Sequence, residues 1–120
     1  MNIHEKINYL EFPAKDIEVT KEFFSKVFDW TFVHYGPAYS AFSNAGIKGG
    51  FYRSDLSAST GNGSALVVFY SNDLEQTQAK ITAAGGRIVK PVFEFPGGRR
   101  FHFNDPNGNE FGVWSDVKAE

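Results

Sequence analysis

The chain has 120 residues, of which 42% are hydrophobic and 22% charged, and its formal net charge is −2. This balance fits one globular domain with its own core, and it excludes the basic surface that holds nucleic-acid phosphates. No apolar run approaches the roughly 20 residues that span a bilayer, and residues 1–6 lack the pattern of a signal peptide. With no cysteine, disulfides and thiolate metal sites are excluded too. We therefore expect a cytoplasmic protein without nucleic-acid or membrane partners.

The first half of the chain predicts the element order β-α-β-β-β. Residues 7–12 have a strand pattern that ends at Pro13. Asp16 is a good N-cap for the helix that follows, because its carboxylate accepts hydrogen bonds from free amides of the first turn. Apolar side chains at helical spacing extend that helix to about Phe28. Three strands are then predicted, over residues 31–35, 39–43 and 47–53.

The second half repeats this order after a stretch rich in Ser, Thr, Gly and Asn. Residues 65–70 predict a buried strand, Asp73 caps a second helix, and Gly85–Gly86 ends it. Three more strands are predicted, over residues 87–92, 100–103 and 110–115. The last two are joined by the strong turn signal of residues 105–109.

A repeated phrase supports this internal duplication. Asp16-Ile17-Glu18-Val19-Thr20 recurs as Asp73-Leu74-Glu75-Gln76-Thr77, 57 residues later. Each copy follows a strand pattern and opens a helix pattern. We predict a single α+β domain over residues 1–120, made of module one (about 1–54), a linker (about 55–64) and module two (about 65–120).

Three segments resemble the vicinal oxygen chelate superfamily, which contains glyoxalase I, bleomycin-resistance proteins and extradiol dioxygenases. They are Glu11–Asp16, Phe23–Trp30 and Phe103–Gly112, the last of which resembles the family's closing hairpin most closely. The resemblance covers nearly the whole chain. It implies two βαβββ modules whose sheets combine into a cup-like, incomplete barrel around a small-molecule cavity. The cup forms within one chain or across a dimer, and we expect a homodimer.

Enzymes of this family commonly hold a divalent ion with His and Glu side chains in the cup, where the ion acts as a Lewis acid. The resemblance places the corresponding positions at Tyr9, near Gly49–Phe51, at Leu66 or Val67, and at Gly112. None of these residues is His, Asp or Glu, and a tyrosine alone is a poor ligand for a hard cation. We therefore expect no metal and no other cofactor.

Side chains alternate across a strand, so a strand that turns Tyr9 into the cup also turns Glu11 inward, and Glu110 and Trp114 share a face in the same way. Glu11 and Glu110 are candidate acid–base residues of one cavity, or surface carboxylates satisfied by neighbouring groups. His102 is the third candidate catalytic residue, or a hydrogen-bonded residue without a chemical role. The expected ligand pocket is lined by Tyr9, Glu11, Phe51, His102, Glu110 and Trp114.

Two further features each allow two explanations. The 13 Phe, 5 Tyr and 2 Trp either fill the core or line a pocket for a flat apolar ligand. Residues 97–100, Gly-Gly-Arg-Arg, predict a flexible loop with two positive charges. These charges either bind a ligand carboxylate or phosphate, or stay solvated.

The leading functional hypothesis is a metal-independent protein of the glyoxalase/bleomycin-resistance type that binds a small apolar or aromatic molecule in the cup. The first alternative is a lyase or isomerase related to glyoxalase I, with a displaced metal site or acid–base catalysis by Glu11, Glu110 or His102. The second alternative is a structural or interaction module without a ligand. The sequence does not identify the ligand, because one fold serves many functions.

Overall fold

A computed structural model describes residues 2–118. Its elements follow the order β-α-β-β-β twice, which confirms the predicted α+β class and duplicated plan. Module one comprises β1 (Tyr9–Ala14), α1 (Ile17–Phe28), β2 (Thr31–His34), β3 (Tyr39–Ser43) and β4 (Lys48–Arg53). Module two comprises β5 (Val67–Tyr70), α2 (Leu74–Ala83), β6 (Arg87–Phe95), β7 (Gly98–Asn104) and β8 (Glu110–Ser115). No helix in the described part of the chain is long and apolar enough to cross a membrane.

The repeated phrase marks the two helix starts. Oδ1 of Asp16 accepts a hydrogen bond from the backbone N–H of Val19 at 3.1 Å, and Oδ1 of Asp73 accepts one from Gln76 at 3.1 Å. Each aspartate therefore satisfies an amide that the helix itself leaves free. A glutamate in each first turn adds negative charge near the positive end of the helix dipole. The phrase thus encodes the starts of the two helices.

Each module forms its own four-stranded sheet. The strand orders are β1-β4-β3-β2 and β5-β8-β7-β6. In both sheets the first strand of the module runs parallel to the last, and the other neighbours are antiparallel. Within residues 2–118 no strand ladder joins the two sheets, so they do not close into a barrel.

One aromatic core lies where α1 packs against both sheets. Phe24 of α1 contacts Phe51 of module one and Phe111 of module two, with ring centroids 5.4 and 5.6 Å apart. Phe12 reaches Phe111 directly, at 5.2 Å. The core explanation therefore accounts for eight of the 13 phenylalanines, which are Phe12, Phe23, Phe24, Phe42, Phe51, Phe101, Phe103 and Phe111.

The turn between β7 and β8 ties module two to the end of β1. Oδ1 of Asn107 accepts from the backbone N–H of Lys15 at 2.9 Å, and Nδ2 of Asn109 donates to the carbonyl oxygen of Pro13 at 2.7 Å. Asp105 fixes the turn by accepting from the backbone N–H groups of both asparagines, at 2.8 and 2.9 Å. The most family-like segment of the sequence thus positions the two modules against each other.

The structure corrects the prediction of a flexible loop at residues 97–100. Strands β6 and β7 continue to either side of a tight hairpin turn here, and both arginines lie within β7. Since neighbouring side chains of a strand point to opposite faces, the two charges separate. Nη1 of Arg99 contacts Oε2 of Glu75 at 2.6 Å, whereas Arg100 lies on the other face of the sheet.

Candidate functional site

The face of each sheet that points away from the helices is called its open face below. On module one the strand pairings place Tyr9, Glu11 and Gly50 on this face. On module two the open face carries Leu66, Val68, Tyr70, Arg100, His102, Glu110, Gly112 and Trp114. The opposite faces supply the core described above.

Two of the positions that the resemblance assigns to metal ligands are glycines, and other side chains occupy the space beside them. A Cβ atom at Gly50 would lie 2.2 Å from the hydroxyl oxygen of Tyr39. A Cβ atom at Gly112 would lie 3.4 Å from Nη2 of Arg100. A guanidinium is always charged, so it repels a cation placed next to it. The residues at these positions therefore do not fit a divalent ion.

The remaining positions offer no better ligands. Leu66 lies on the open face, its Cδ2 3.5 Å from the Cβ position of Gly112, whereas Val67 pairs with Phe111 on the core side. The hydroxyl of Tyr9 is hydrogen-bonded to Tyr39. In residues 2–118 no three His, Asp or Glu side chains come together in a way that would hold a metal ion.

On the open face of module one, Tyr9, Tyr39 and Glu11 form a group called here the tyrosine–glutamate cluster. The Tyr39 hydroxyl donates to Oε2 of Glu11 at 2.9 Å, so it accepts from the Tyr9 hydroxyl at 2.5 Å. Burial raises the pKa of Tyr39, and the hydrogen bonds to Tyr9 and Glu11 raise it further. The phenol therefore stays protonated, and Glu11 is a hydrogen-bonded acceptor in this arrangement.

On the open face of module two, Arg100, His102 and Glu110 form the arginine–histidine–glutamate cluster. Nε and Nη2 of Arg100 lie 3.2 and 2.8 Å from Nε2 of His102. Because a guanidinium can only donate, Nε2 is the unprotonated nitrogen of the ring. The ring proton lies on Nδ1, which donates to Oε2 of Glu110 at 2.8 Å. The geometry thus makes His102 a neutral link between a cation and an anion.

Glu110 anchors this cluster in the protein interior. Its side chain is only 12% exposed, and that of His102 is 9% exposed. Oε1 of Glu110 accepts from the backbone N–H and the hydroxyl of Thr60, at 2.9 and 2.8 Å. Burial by itself would raise the pKa of Glu110, but the hydrogen bonds from Thr60 and His102 outweigh it and hold the pKa below its usual value. Glu110 is therefore ionised at neutral pH, with both oxygens engaged.

Arg100 engages His102 with only one edge of its guanidinium. Its Nη1 atom makes no hydrogen bond to any other residue in the described part of the chain. The ring of Phe93 lies nearby, with its centroid 5.7 Å from Cζ of Arg100 and 4.6 Å from Nζ of Lys90. Two cations thus approach one ring. Arg100 and Lys90 make this part of the open face positive, whereas on the other side of Trp114 the carboxylate of Asp116 accepts a hydrogen bond from the Tyr70 hydroxyl at 2.6 Å.

Trp114 is the aromatic centre of this face. It is half-buried and pairs with Arg100 across β7 and β8. The rings of Tyr70 and Phe95 lie 5.2 and 6.3 Å from the Trp114 ring, and Tyr70 is 53% exposed. These three rings, called here the aromatic wall, lie beside the charged cluster.

An apolar crevice of about 340 Å³ lies between the two sheets. Phe12, Trp30 and Phe42 line it from module one, and Val68 and Tyr70 line it from module two. Since Val68 and Tyr70 also lie on the open face, the crevice and that face adjoin. The exposed apolar surface where they meet belongs to Val68 and Tyr70.

Four of the six predicted pocket residues fall into the two clusters, and a fifth, Trp114, lies in the aromatic wall. Tyr9 and Glu11 belong to the tyrosine–glutamate cluster, and His102 and Glu110 belong to the arginine–histidine–glutamate cluster. No hydrogen bond among the described residues joins the two clusters. That Glu11 and Glu110 act on one ligand stays a prediction.

Phe51 lies outside both clusters, and the structure corrects its expected place in the pocket. It follows Gly50 on β4, so its side chain points to the opposite face, toward the helices. It is fully buried, with the rings of Phe12 and Phe24 at 5.6 and 5.4 Å. Phe51 is therefore a core residue.

The sequence did not single out Tyr39 or Thr60, and it predicted Arg100 in a flexible loop rather than on a strand beside His102. The spacing of Arg100 and His102 was a usable signal, because residues two apart on a strand share a face. Tyr39 has no comparable local signal, because Gly50 pairs with Ala41 and the Tyr39 side chain reaches Gly50 only diagonally across β3 and β4. Thr60 lies in the linker, and nothing in its neighbourhood indicates that it reaches Glu110.

The comparison with known families agrees with this fold. Residues 6–113 match the model of the Glyoxalase/Bleomycin resistance protein/Dioxygenase superfamily. No curated protein matches the sequence.

Solved structures with the same architecture have low sequence identity to this chain. A glyoxalase/bleomycin resistance protein/dioxygenase family enzyme from Burkholderia phytofirmans PsJN is 17% identical, with a TM-score of 0.77 over 92% of this chain and 98% of that one. A mutant of the fosfomycin resistance protein FosX from Listeria monocytogenes, complexed with Mn(II) and a dihydroxypropylphosphonic acid, is 18% identical, with a TM-score of 0.78 over 98% and 94%. TioX from Micromonospora sp. ML1 is 19% identical, with a TM-score of 0.71 over 93% and 99%. At these identities the likeness shows the fold alone. The family match over residues 6–113, on a chain of two βαβββ modules, shows that the protein belongs to the glyoxalase/bleomycin resistance protein/dioxygenase superfamily.

Proposed function

We propose that this protein binds a small apolar or aromatic molecule on the open face of module two, and that it does so without a divalent metal ion. The observation that carries the proposal is the aromatic wall of Tyr70, Phe95 and Trp114. On the same face, Leu66 and Gly112 occupy positions that the resemblance assigns to metal ligands, and neither residue has a side chain that can bind a metal ion. Small-molecule sites combine apolar surface with a few well-placed polar groups. The arginine–histidine–glutamate cluster supplies such groups next to the wall.

Independence from metal is supported by the side chains beside Gly50 and Gly112. An ion near Gly112 would have to displace Arg100 from its hydrogen bonds with His102. The FosX structure holds Mn(II) on a similar fold. We infer that this chain does not share the metal chemistry of such a neighbour.

A lyase or isomerase function ranks second, and one observation favours it. The pairing of His102 with Glu110 is the arrangement by which a carboxylate orients a histidine base. A base, however, uses the lone pair of Nε2, and Arg100 already donates to that atom. Catalysis would require Arg100 to leave His102, so the present geometry favours binding.

We propose further that the protein forms a homodimer. The open face of module one exposes apolar and aromatic side chains that a second copy would cover, namely Tyr9, Val33 and Tyr52. Light scattering of the purified protein tests this proposal. The mass of two chains is expected, and the mass of one chain at the highest soluble concentration would contradict it.

Isothermal titration calorimetry of EDTA-treated protein tests the binding proposal. We expect 2-naphthamide, a neutral flat aromatic molecule, to bind saturably and to raise the melting temperature. Trp114→Ala should weaken this binding at least about tenfold, because the ring that stacks on the ligand is lost. Val19→Ala is the matched control, since Val19 is 45% exposed on α1. Absence of binding, or equal binding by the Trp114 variant, would contradict the proposal and favour a module without a ligand.

A further inference from the structure

We propose that the ligand carries a carboxylate, and that the free edge of the Arg100 guanidinium binds it. This inference rests on the proposed function and adds the charge of the ligand to it. The ligand class is an aromatic acid: a flat apolar body with one carboxylate. In this protein a fixed cation stands beside the position, Gly112, where the family resemblance leads one to expect a metal ligand.

The free edge of Arg100 has the geometry of a carboxylate receptor. Nε and Nη2 face Nε2 of His102, at 3.2 and 2.8 Å. The adjacent edge, which is the free one, consists of Nη1 and the second N–H of Nη2. Two parallel N–H groups at this spacing match the two oxygens of a carboxylate and bind it in a bidentate way. Since Nη1 has no protein partner in the described part of the chain, this edge is available to a ligand.

The guanidinium is held in place before any ligand arrives. His102 fixes Arg100, Glu110 fixes His102 at 2.8 Å, and Thr60 fixes Glu110 through two hydrogen bonds. A side chain that is already ordered loses less conformational entropy on binding. The chain of contacts therefore serves to position Arg100.

The charges around the free edge favour an anion. Glu110 engages both oxygens with His102 and Thr60, behind the imidazole, so it does not compete for that edge. Lys90 adds a second cation across the Phe93 ring.

Aromatic rings on either side of Arg100 fit the body of such a ligand. Trp114 on β8 and Phe93 on β6 are the cross-strand partners of Arg100 on its two sides. Partners of this kind place their side chains next to one another on the same face. A ring that stacks on Trp114 or Phe93 would thus bring its carboxylate to the guanidinium.

Isothermal titration with two nearly isosteric probes tests the inference, using 2-naphthoate and its neutral amide, 2-naphthamide. The wild-type protein should bind the naphthoate at least about tenfold more tightly, since a charge-assisted pair is made only by the acid. Arg100→Gln should reduce the naphthoate affinity to that of the amide and leave the amide affinity within about threefold. Arg100→Lys should keep only part of the preference for the naphthoate over the amide. A lysine carries the positive charge but lacks the two parallel N–H groups of a guanidinium.

Arg99→Gln is the matched control. Arg99 is the chain neighbour of Arg100, but it lies on the opposite face and pairs with Glu75. This variant should keep the full preference for the naphthoate. The comparison of the two probes on the wild-type protein needs no variant, so it stays decisive even if an Arg100 variant does not fold.

The outcomes separate this inference from the proposed function. Equal wild-type affinity for the two probes would overturn the inference and leave the proposed function standing. A preference that persists in Arg100→Gln would overturn the role of Arg100. If neither probe binds, the proposed function itself fails, and the inference fails with it.

Discussion

Nε2 of His102 accepts a hydrogen bond from Nη2 of Arg100 at 2.8 Å, and Nδ1 of the same ring donates to Glu110 at 2.8 Å. The imidazole thus connects a guanidinium on the open face with a carboxylate in the interior. This connection explains why a histidine flanked by two buried phenylalanines on β7 is itself buried.

Replacement of His102 should therefore destabilise the fold. His102→Leu leaves the buried Glu110 without one partner and releases Arg100, and we expect a loss of about 2–4 kcal/mol in the free energy of unfolding. Urea unfolding followed by circular dichroism measures this loss. His4→Leu, at a position whose side chain is 90% exposed, is the control and should change stability little. Equal stability of the two variants would mean that the cluster contributes nothing.

The lowered pKa of Glu110 predicts a dependence of stability on pH. Hydrogen bonds from Thr60 and His102 outweigh burial, so the folded state holds its proton less tightly than the unfolded state, whose value is near 4.5. The contribution of Glu110 is then fully present above about pH 4.5 and is lost as the pH falls through the folded pKa.

Glu110→Gln isolates this contribution. We expect the wild type to be more stable than the variant by about 1–3 kcal/mol at neutral pH, and the difference to shrink below about pH 4.5. Urea titrations of both proteins across the acid range measure the difference in their free energies of unfolding. The other carboxylates are the same in both proteins, so their contributions to this difference cancel. If the difference stays constant or grows toward acid pH, folding does not lower the pKa of Glu110.

Gly50→Ala tests the tyrosine–glutamate cluster. The new Cβ would lie 2.2 Å from the Tyr39 hydroxyl, so the ring must move and lose its bonds to Tyr9 and Glu11. We expect a loss of about 1–3 kcal/mol and the appearance of one more tyrosine that ionises near pH 10 in an ultraviolet titration. Gly61→Ala is the control, because its nearest neighbour is 3.8 Å away. Unchanged tyrosine ionisation in Gly50→Ala would contradict this account.

Phe51→Ala separates the core from the site. Its ring is fully buried among other phenylalanines, so truncation should reduce the free energy of unfolding by about 3–5 kcal/mol. The more conservative Phe51→Leu should remain folded and bind 2-naphthamide with wild-type affinity in a fluorescence titration. If the Leu variant loses binding without losing stability, Phe51 contributes to the ligand pocket and this account of it is wrong.

The fold could be predicted from the sequence because its signals are local. The caps Asp16 and Asp73 and the 105–109 turn each lie where the sequence places them. Side-chain alternation also put Tyr9 with Glu11 and Glu110 with Trp114 on shared faces. The prediction for Phe51 was wrong because the resemblance gives this pocket position only as Gly49–Phe51. Which of these residues faces the pocket depends on the strand register, and the register pairs Gly50 with Glu11 on the open face.

The contacts of the site could not be predicted in the same way. Pro96 and the two glycines after it have the composition of a loop, so the sequence predicts Arg99 and Arg100 as a pair of charges in that loop. Whether a hairpin continues through such residues depends on pairing with β6 and β8, which is tertiary information. The link from Thr60 to Glu110 joins residues 50 apart and has no local signal.

The most direct test of metal-independent binding is a calorimetric titration of EDTA-treated protein with 2-naphthoate, repeated with an excess of Mn(II), Ni(II) or Zn(II). We predict saturable binding in EDTA with an affinity that the metals change by less than about twofold. Binding that appears only when a metal is added, with one ion per chain, would contradict the account.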